Sequence, residues 1–262
     1  MGKGWLLKGT NRVSDFADGM PERSERFRGL FDATERLGDL INAFLDQHED
    51  LMEFRRDDAT RDVGMVVVAS FGKALKTFQA ISRLCASGFG EDALLLVRAN
   101  VNLILNLRYI LAAPDATERV KNFIAYSYAE RERLLKDGYG ETVNWRPGWL
   151  SDEEMKRRTK EWTGTSIAKR AEGVPPLHYL QGYKFYSSFE HSDALALDSY
   201  VTIHDDGFLE IQAGQRDEYV GLALVHSWSV MAEVFVATCQ HFKINITNTE
   251  RELQETWPKL QP

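Results

Sequence analysis

The chain has 262 residues, of which 44% are hydrophobic and 27% charged, which is ordinary for a globular protein with a core of its own. Its formal net charge of -7 argues against a protein that simply coats nucleic acid, because neutralising phosphates requires clustered Lys and Arg. Cys85 and Cys239 lack the spacing of a zinc site or a disulfide framework, so both are predicted to be buried thiols in a reducing compartment. Residues 1–7 lack the apolar core of a signal peptide, and a cytoplasmic protein is predicted.

Apolar residues that recur at intervals of three and four predict a series of helices. After an irregular lead-in over residues 1–20, the predicted helices cover residues 21–56, 59–86, 91–113, 115–138, 151–162, 175–191 and 216–242, and a short one begins at 247. The spacings Asp115-x-x-Glu118 and Ser151-x-x-Glu154 are those of capping boxes at two of these starts. Because the helices are long and their connections short, the predicted fold class is all-α, an antiparallel helical bundle that forms a single domain over residues 21–262.

Residues 199–212 break the helical pattern. β-branched residues alternate there on either side of Asp205-Asp206-Gly207, which predicts a small β-hairpin with a Gly turn. Because an isolated hairpin is only marginally stable, it is predicted to lie on the helices or to pair with a partner.

Two apolar stretches, 93–113 and 219–239, resemble membrane spans in composition. The first carries Arg98 and Arg108, and the second carries Glu233. Charges at such depth are costly in lipid and ordinary in the middle of a large bundle. Both stretches are therefore predicted to be central helices of a protein that has no membrane partner.

A polar stripe interrupts the apolar helix 91–113. Arg98, Asn102 and Asn106 are spaced i, i+4 and i+8, so they stack on one face of the helix. The stripe fits either a narrow solvent-facing edge or a polar groove. In a groove, each buried polar group must find a partner.

The next predicted helix also carries polar residues on its apolar face, namely Ser127 and Arg131, with Glu130 on the flank. A buried Arg requires a carboxylate or an anionic ligand, because leaving it unpaired costs several kcal/mol. Arg98 and Arg131 are thus predicted to be largely buried, with Glu130 and Asn102 as their nearest partners. A structural salt bridge and an anion site both fit this pattern.

A third stripe places Tyr183, Ser187 and His191 at i, i+4 and i+8, with Lys184 beside them. A His at the end of a helix can simply cap its C-terminus. A phenol, a hydroxyl and an imidazole in register also form a surface suited to proton transfer. If this surface is a site, it is predicted to face the Arg98 stripe, with the His191 imidazole within a few hydrogen-bond lengths of the Arg98 or Arg131 guanidinium.

The spacing Tyr183-x-x-x-Ser187-x-x-x-His191 resembles the hallmark of a bacterial family catalogued as domain of unknown function 5677. Members of that family are helical and carry an Arg-x-x-x-Glu element on an earlier helix. Its counterpart here is Arg98 to Asn102, with Asn102 in place of the Glu, and Glu190 stands where the family is typically apolar. Residues 123–130 resemble the aromatic and acidic helix of the family. The resemblance covers about 90–200 and implies a helical fold, but it supplies no activity.

Two functions fit these residues. One is a HEPN-like helical ribonuclease, a toxin or defence effector, in which His191 acts as general base or acid and Arg98 or Arg131 stabilises the phosphorane charge. The other is a non-catalytic helical module that binds a small anionic ligand or a protein partner, with the hairpin as a docking edge. Whether the chain is an enzyme stays open at this point.

The site residues follow from both hypotheses. The predicted catalytic residues are His191, Ser187, Tyr183, Arg98 and Arg131, and the predicted binding residues are Asn102, Glu130, Lys184 and Glu190. The chain has no Glu-x-x-His pair of the kind that holds a metal in a helical bundle, so neither a metal nor a cofactor is predicted. The expected partners are RNA or a small anionic ligand, together with a second copy of the chain in a homodimer.

Overall fold

The computed structural model of the protein describes residues 23–48, 61–138, 147–172, 183, 186–187, 200–203, 209–211 and 217–260. Most of these residues are helical, and the predicted all-α class is confirmed. The helices in these ranges are, in chain order, α1 (Arg23–Arg26), α2 (Arg28–Gln47), α3 (Arg61–Ala86), α4 (Gly90–Leu111), α5 (Ala116–Lys136), α6 (Asp152–Thr163), α7 (Ile167–Arg170), α8 (Val220–His241) and α9 (Thr247–Leu260).

Side-chain caps define where α5 and α6 begin. The Asp115 carboxylate accepts a hydrogen bond from the backbone N–H of Glu118 at 3.2 Å. The Ser151 hydroxyl accepts one from the backbone N–H of Glu154, also at 3.2 Å. Both predicted caps are confirmed. They satisfy backbone N–H groups that have no partner inside the helix.

Two segments need separate comment, a short helix that was not predicted and the stretch for which a hairpin was predicted. Helix α7, four residues long and capped by Ser166, was not predicted. Strands β1 (Val201–Ile203) and β2 (Leu209–Ile211) pair antiparallel, with Thr202 opposite Glu210. They lie within the stretch 199–212 for which a hairpin was predicted, and the turn between them lies outside the described residues.

The centre of the fold is formed by α3, α4 and α8, which pack against one another along their lengths. Helix α8 is buried on nearly all sides, and α2 covers it. The Trp228 indole N–H donates to the Ala33 carbonyl at 3.1 Å, and the Phe44 and Phe235 rings meet edge to face at 5.0 Å. Helix α9 closes this side, where the Trp257 ring stacks on Trp228.

One charged residue of each apolar helix takes part in an ion pair between α4 and α8. The Arg108 guanidinium contacts the Glu233 carboxylate through Nε at 3.0 Å and through Nη2 at 2.5 Å. By length and composition, both helices could cross a membrane. In the most apolar stretch of each helix, 78% of the residues of α8 and 44% of those of α4 are buried inside the protein. Core helices of soluble proteins meet the same criterion.

Helices α5 and α6 form a tight pair beside this core, with a small apolar cluster of Ala125, Leu150 and Met155. Arg158, which is only 6% exposed, bridges the two helices. Its guanidinium donates to Glu118 at 3.0 Å on α5, and to Glu154 at 2.9 Å on its own helix. A third donation reaches the Asn122 side-chain carbonyl at 3.0 Å. A buried guanidinium with its donors satisfied in this way holds two helices in register.

We expect Arg158→Met to lower the free energy of unfolding at neutral pH by about 1–3 kcal/mol, because several charge-assisted hydrogen bonds are lost together. Arg157→Met is the matched control. Its guanidinium is half-exposed and, among the described residues, pairs with Glu154 and Glu161 of its own helix, so that the expected loss is much smaller. Urea unfolding of the two variants and the wild type measures the difference.

The difference in the free energy of unfolding between the wild type and Arg158→Met should change with pH in a defined direction. Hydrogen bonds from Lys121 and then from Arg158 lower the pKa of Glu118 below its ordinary value of 4.5, and a hydrogen bond from Arg157 lowers that of Glu154 to about 2. Lowered carboxyl pKa values stabilise the fold fully above pH 4.5, and this contribution is lost as the pH falls towards 2. The gap between wild type and Arg158→Met should therefore narrow on acidification, and an unchanged gap would contradict the bridge.

The junction of α4 with α8 requires a glycine. A Cβ on Gly90 would lie 2.2 Å from the Glu218 carbonyl oxygen and 2.6 Å from the Val220 backbone nitrogen. We expect Gly90→Ala to lower the free energy of unfolding by about 1–3 kcal/mol through overpacking. In contrast, Gly72→Ala in α3 meets no atom within 4 Å and should raise it by up to about 1 kcal/mol. Equal effects of the two changes in urea unfolding would rule out the close backbone contact as the reason for Gly90.

Candidate functional site

One face of α4 carries the polar stripe Arg98, Asn102 and Asn106. All three residues are half-buried, whereas Val97, Val101 and Leu105 beside them are fully buried in the core. The stripe runs over two turns, or about 12 Å along the helix. Half-burial of all three members favours the predicted groove over a free solvent-facing edge.

Arg98 contacts the segment that carries the Tyr-x-x-x-Ser motif. Its Nε donates a hydrogen bond to the Ser187 Oγ at 3.0 Å. The carbon at the centre of its guanidinium lies 4.5 Å from the centroid of the Tyr183 ring, so that the cation rests on the face of the phenol. These contacts bring Tyr183 and Ser187, two of the three members of the predicted face, to the Arg98 stripe, whereas the functional site itself stays a prediction.

Local structure explains why these two side chains point the same way. Tyr183, Tyr186 and Ser187 have helical backbone, so residues 183 and 187 share a face and 186 points away. Tyr186 is fully buried, and its ring meets His226 of α8 edge to face at 5.4 Å. The Ser187 hydroxyl donates to the Tyr183 carbonyl at 2.6 Å, which directs its lone pairs towards the Arg98 N–H. One buried tyrosine thereby sets the orientation of the motif.

The middle and the end of the stripe differ in their hydrogen bonding. The Asn102 Oδ1 is buried and accepts no hydrogen bond from the described residues. The Asn106 Oδ1 accepts one from Nη1 of Arg170, on helix α7, at 3.0 Å. Buried amide oxygens are normally satisfied, so the position of Asn102 identifies a place where a donor from outside these residues would be stabilised.

Arg170 is a buried cation whose described partners are all neutral. It is 7% exposed, its Nη2 donates to the Trp162 carbonyl at 2.6 Å, and its guanidinium lies 4.1 Å from the centroid of the Trp162 ring. Its Nε is buried and has no acceptor among the residues that the structure describes. Burial lowers the pKa of Arg170, while the nearby hydroxyls of Tyr109, Tyr126 and Tyr183 act in the opposite direction. No carboxylate in the described ranges pairs with it.

Arg131 does not belong to this site, and its predicted burial is wrong. Its side chain is exposed on the outer face of α5. Glu130, predicted as a partner of Arg98 or Arg131, instead accepts a hydrogen bond from Arg133 at 2.7 Å. The reason is the phase of the helix, because α5 buries the face of Val120 and Ala125 against its neighbours.

Two further predictions, one on α5 and one on α4, are also wrong. Ser127, expected on the apolar face, is exposed, and its hydroxyl donates to the Phe123 carbonyl of the preceding turn. Asn102 was expected to accept from Arg98, whereas its Oδ1 has no described donor. Arg98 instead donates to the Ser187 hydroxyl, and it is half-buried rather than largely buried.

Three predicted site residues, Lys184, Glu190 and His191, lie outside the described residues, so their roles stay predictions. The predicted distance from the His191 imidazole to the Arg98 or Arg131 guanidinium is therefore also untested. Among the residues that the structure does describe, no three His, Cys, Asp or Glu side chains are placed to hold a metal ion.

The sequence pattern missed Arg170 and the aromatic residues around it. Trp162 packs between Phe123 at 5.1 Å and Tyr109 at 5.9 Å, measured between ring centroids, and forms the floor under the Arg170 guanidinium. The signal that leads to this cluster is Asn106, the third member of the stripe, which has no role in the motif and binds Arg170 directly.

Comparison with known proteins finds one match. The model of a family described as "Family of unknown function (DUF5677)" matches residues 64–208, which is more than half of the chain. The matched region begins within α3 and includes the polar stripe of α4, Arg170, and the Tyr183–Ser187 segment. Neither a curated protein nor a solved structure matches.

Proposed function

Because this chain belongs to DUF5677, a family of unknown function, we propose its function from the groove alone: it binds an anionic ligand through a phosphate group on the face of α4 that carries Arg98. The observation that carries the proposal is the contact of Arg98 with both Ser187 and Tyr183. Two segments that are far apart in sequence meet there, and they hold the Arg98 guanidinium in position to bind a phosphate oxygen.

The chemistry of Arg98 suits a phosphate. Its guanidinium is planar, stays charged at any physiological pH and matches phosphate oxygens with a fork of donors. The Ser187 hydroxyl orients one edge of that plane, and the Tyr183 ring supports one face. Such orientation lowers the entropy that binding would otherwise cost.

The charge of the whole chain makes a local site necessary. With a formal net charge of -7, the protein as a whole repels anions, so attraction must come from cations gathered in one place. Half-burial strengthens the interaction of such cations with a ligand, because water screens them less than at an open surface.

We expect Arg98→Gln to weaken the binding of inorganic phosphate or adenosine 5′-monophosphate at least about tenfold, since a charge-assisted hydrogen bond contributes about 1.5–3 kcal/mol. Isothermal titration calorimetry on the full chain measures the affinity. Arg131→Gln is the matched control: it removes the same charge from the exposed face of α5 and should bind like the wild type. Equal loss in the two variants would indicate a general charge effect and would contradict the groove.

A second, more specific proposal is RNA cleavage in this groove, as in HEPN-like ribonucleases. It is favoured by the orientation of Tyr183 and Ser187 towards Arg98, because His191 follows Ser187 by four residues in the motif. In that reaction His191 would move a proton as general acid or base. Arg98 would stabilise the negative charge that develops on phosphorus.

For cleavage, we expect His191→Ala to abolish the degradation of a labelled RNA and the toxicity of the overexpressed protein, because the proton-transfer group is removed. Phosphate binding should survive in the same variant, since the Arg98 contact is left in place. Gel analysis of the RNA and growth curves measure the two effects. If the wild type leaves RNA intact while binding phosphate, cleavage is wrong and the binding proposal stands.

A further inference from the structure

We propose that Arg170 supplies a second positive charge to this groove, so that the preferred ligand carries two neighbouring phosphate groups. The inference rests on the proposed function, because it extends the Arg98 site along the same face of α4. The two phosphates can belong to a nucleoside diphosphate or to adjacent positions of an oligonucleotide, and the experiment separates these sources.

The first step of the argument is the cost of keeping Arg170 where it is. The side chain is 7% exposed, and its hydrogen bonds within the described part of the chain go to an amide oxygen and a backbone carbonyl. Its Nε is buried, and no described residue offers it an acceptor. A buried charge with only neutral partners destabilises a fold, and apolar side chains of similar volume commonly do better in such positions. An anionic ligand nearby offsets that cost.

The second step is the position of Arg170 relative to Arg98. Asn106, which binds Arg170, stands two helical turns from Arg98 on the same stripe. Tyr183 lies against the Arg98 guanidinium at one end of this distance, and Asn106 holds Arg170 at the other end. Both positive charges therefore lie along one face of α4.

The third step concerns the space between the two cations. Asn102 stands midway along the stripe, and its buried Oδ1 has no donor among the described residues. A ligand that spans from Arg98 towards Arg170 passes this amide and can donate to it from a ribose or phosphate hydroxyl. One extended ligand thus accounts for both unsatisfied groups, the Arg170 Nε and the Asn102 Oδ1, which a single phosphate at Arg98 does not.

A purely structural role for Arg170 makes a different prediction. In that role, the guanidinium only ties α7 to Asn106 and Trp162, and its removal changes stability without changing which ligand is preferred. The preference between ligands with one and two phosphates is therefore the decisive measurement.

Calorimetry of the full chain with inorganic phosphate, pyrophosphate and the 5′-phosphorylated dinucleotide pUpU tests the proposal. We expect the wild type to bind pyrophosphate or pUpU at least about tenfold more tightly than phosphate, the gain of one charge-assisted contact. Whichever of the two is preferred identifies the source of the phosphates. Arg170→Gln, which keeps a donor for Asn106 but removes the charge, should lower the affinity for pyrophosphate and pUpU far more than the affinity for phosphate, and so lose the preference.

Two further variants keep the test decisive. Asn106→Ala removes the acceptor that orients Arg170 and should reduce the preference even if Arg170→Gln fails to fold, whereas Arg170→Lys should retain part of it. A wild type without the preference, or an Arg170→Gln and an Asn106→Ala protein that both retain it, would overturn the inference. If Arg98→Gln abolishes phosphate binding in that case, the proposed function survives; if the wild type binds none of the three probes, the proposed function itself fails.

Discussion

Burial of α4 between α3 and α8 is the constraint on which the rest of this structure depends. A helix enclosed by apolar neighbours must satisfy each polar group that it carries. The Asn100 side-chain N–H does so by donating to the Ala74 carbonyl of α3 at 3.2 Å, although its Oδ1 accepts nothing from the described residues, and Arg108 does so by pairing with Glu233 of α8. Arg98, Asn102 and Asn106 share another face of α4, where Asn106 meets α7 and Arg98 meets the Tyr183–Ser187 segment. The proposed groove would thus follow from how the core is packed.

Much of the fold could be predicted because the physical signals are local. Helices α3 to α6 follow from apolar periodicity and from caps whose partners stand three residues apart. The phase of α5 could not be predicted, since aromatic and charged residues occur on both of its flanks and only the packing of α6 decides which face is inside. Arg131 was misplaced for that reason, although the helix that carries it was found.

The site shows the same division between local and long-range information. The i, i+4 spacings of α4 and of Tyr183 and Ser187 were sufficient to predict that the two faces meet, because both patterns select one side of a helix. Arg170 lies in a helix of four residues that has no periodicity to detect. Its contacts with Trp162 and Asn106 form only when α6 returns the chain to α4, which no local spacing encodes.

The stacked indoles of Trp228 and Trp257 have a consequence for spectroscopy. Their ring centroids are 5.9 Å apart and their planes differ by 18°, although one belongs to the buried helix α8 and the other to the last described helix. Two indoles at this range couple their electronic transitions, and the coupled pair produces an exciton couplet in circular dichroism that separated indoles lack. The packing of α9 on α8 can therefore be followed by this couplet, separately from the helix content. No label is required, because both tryptophans belong to the natural sequence.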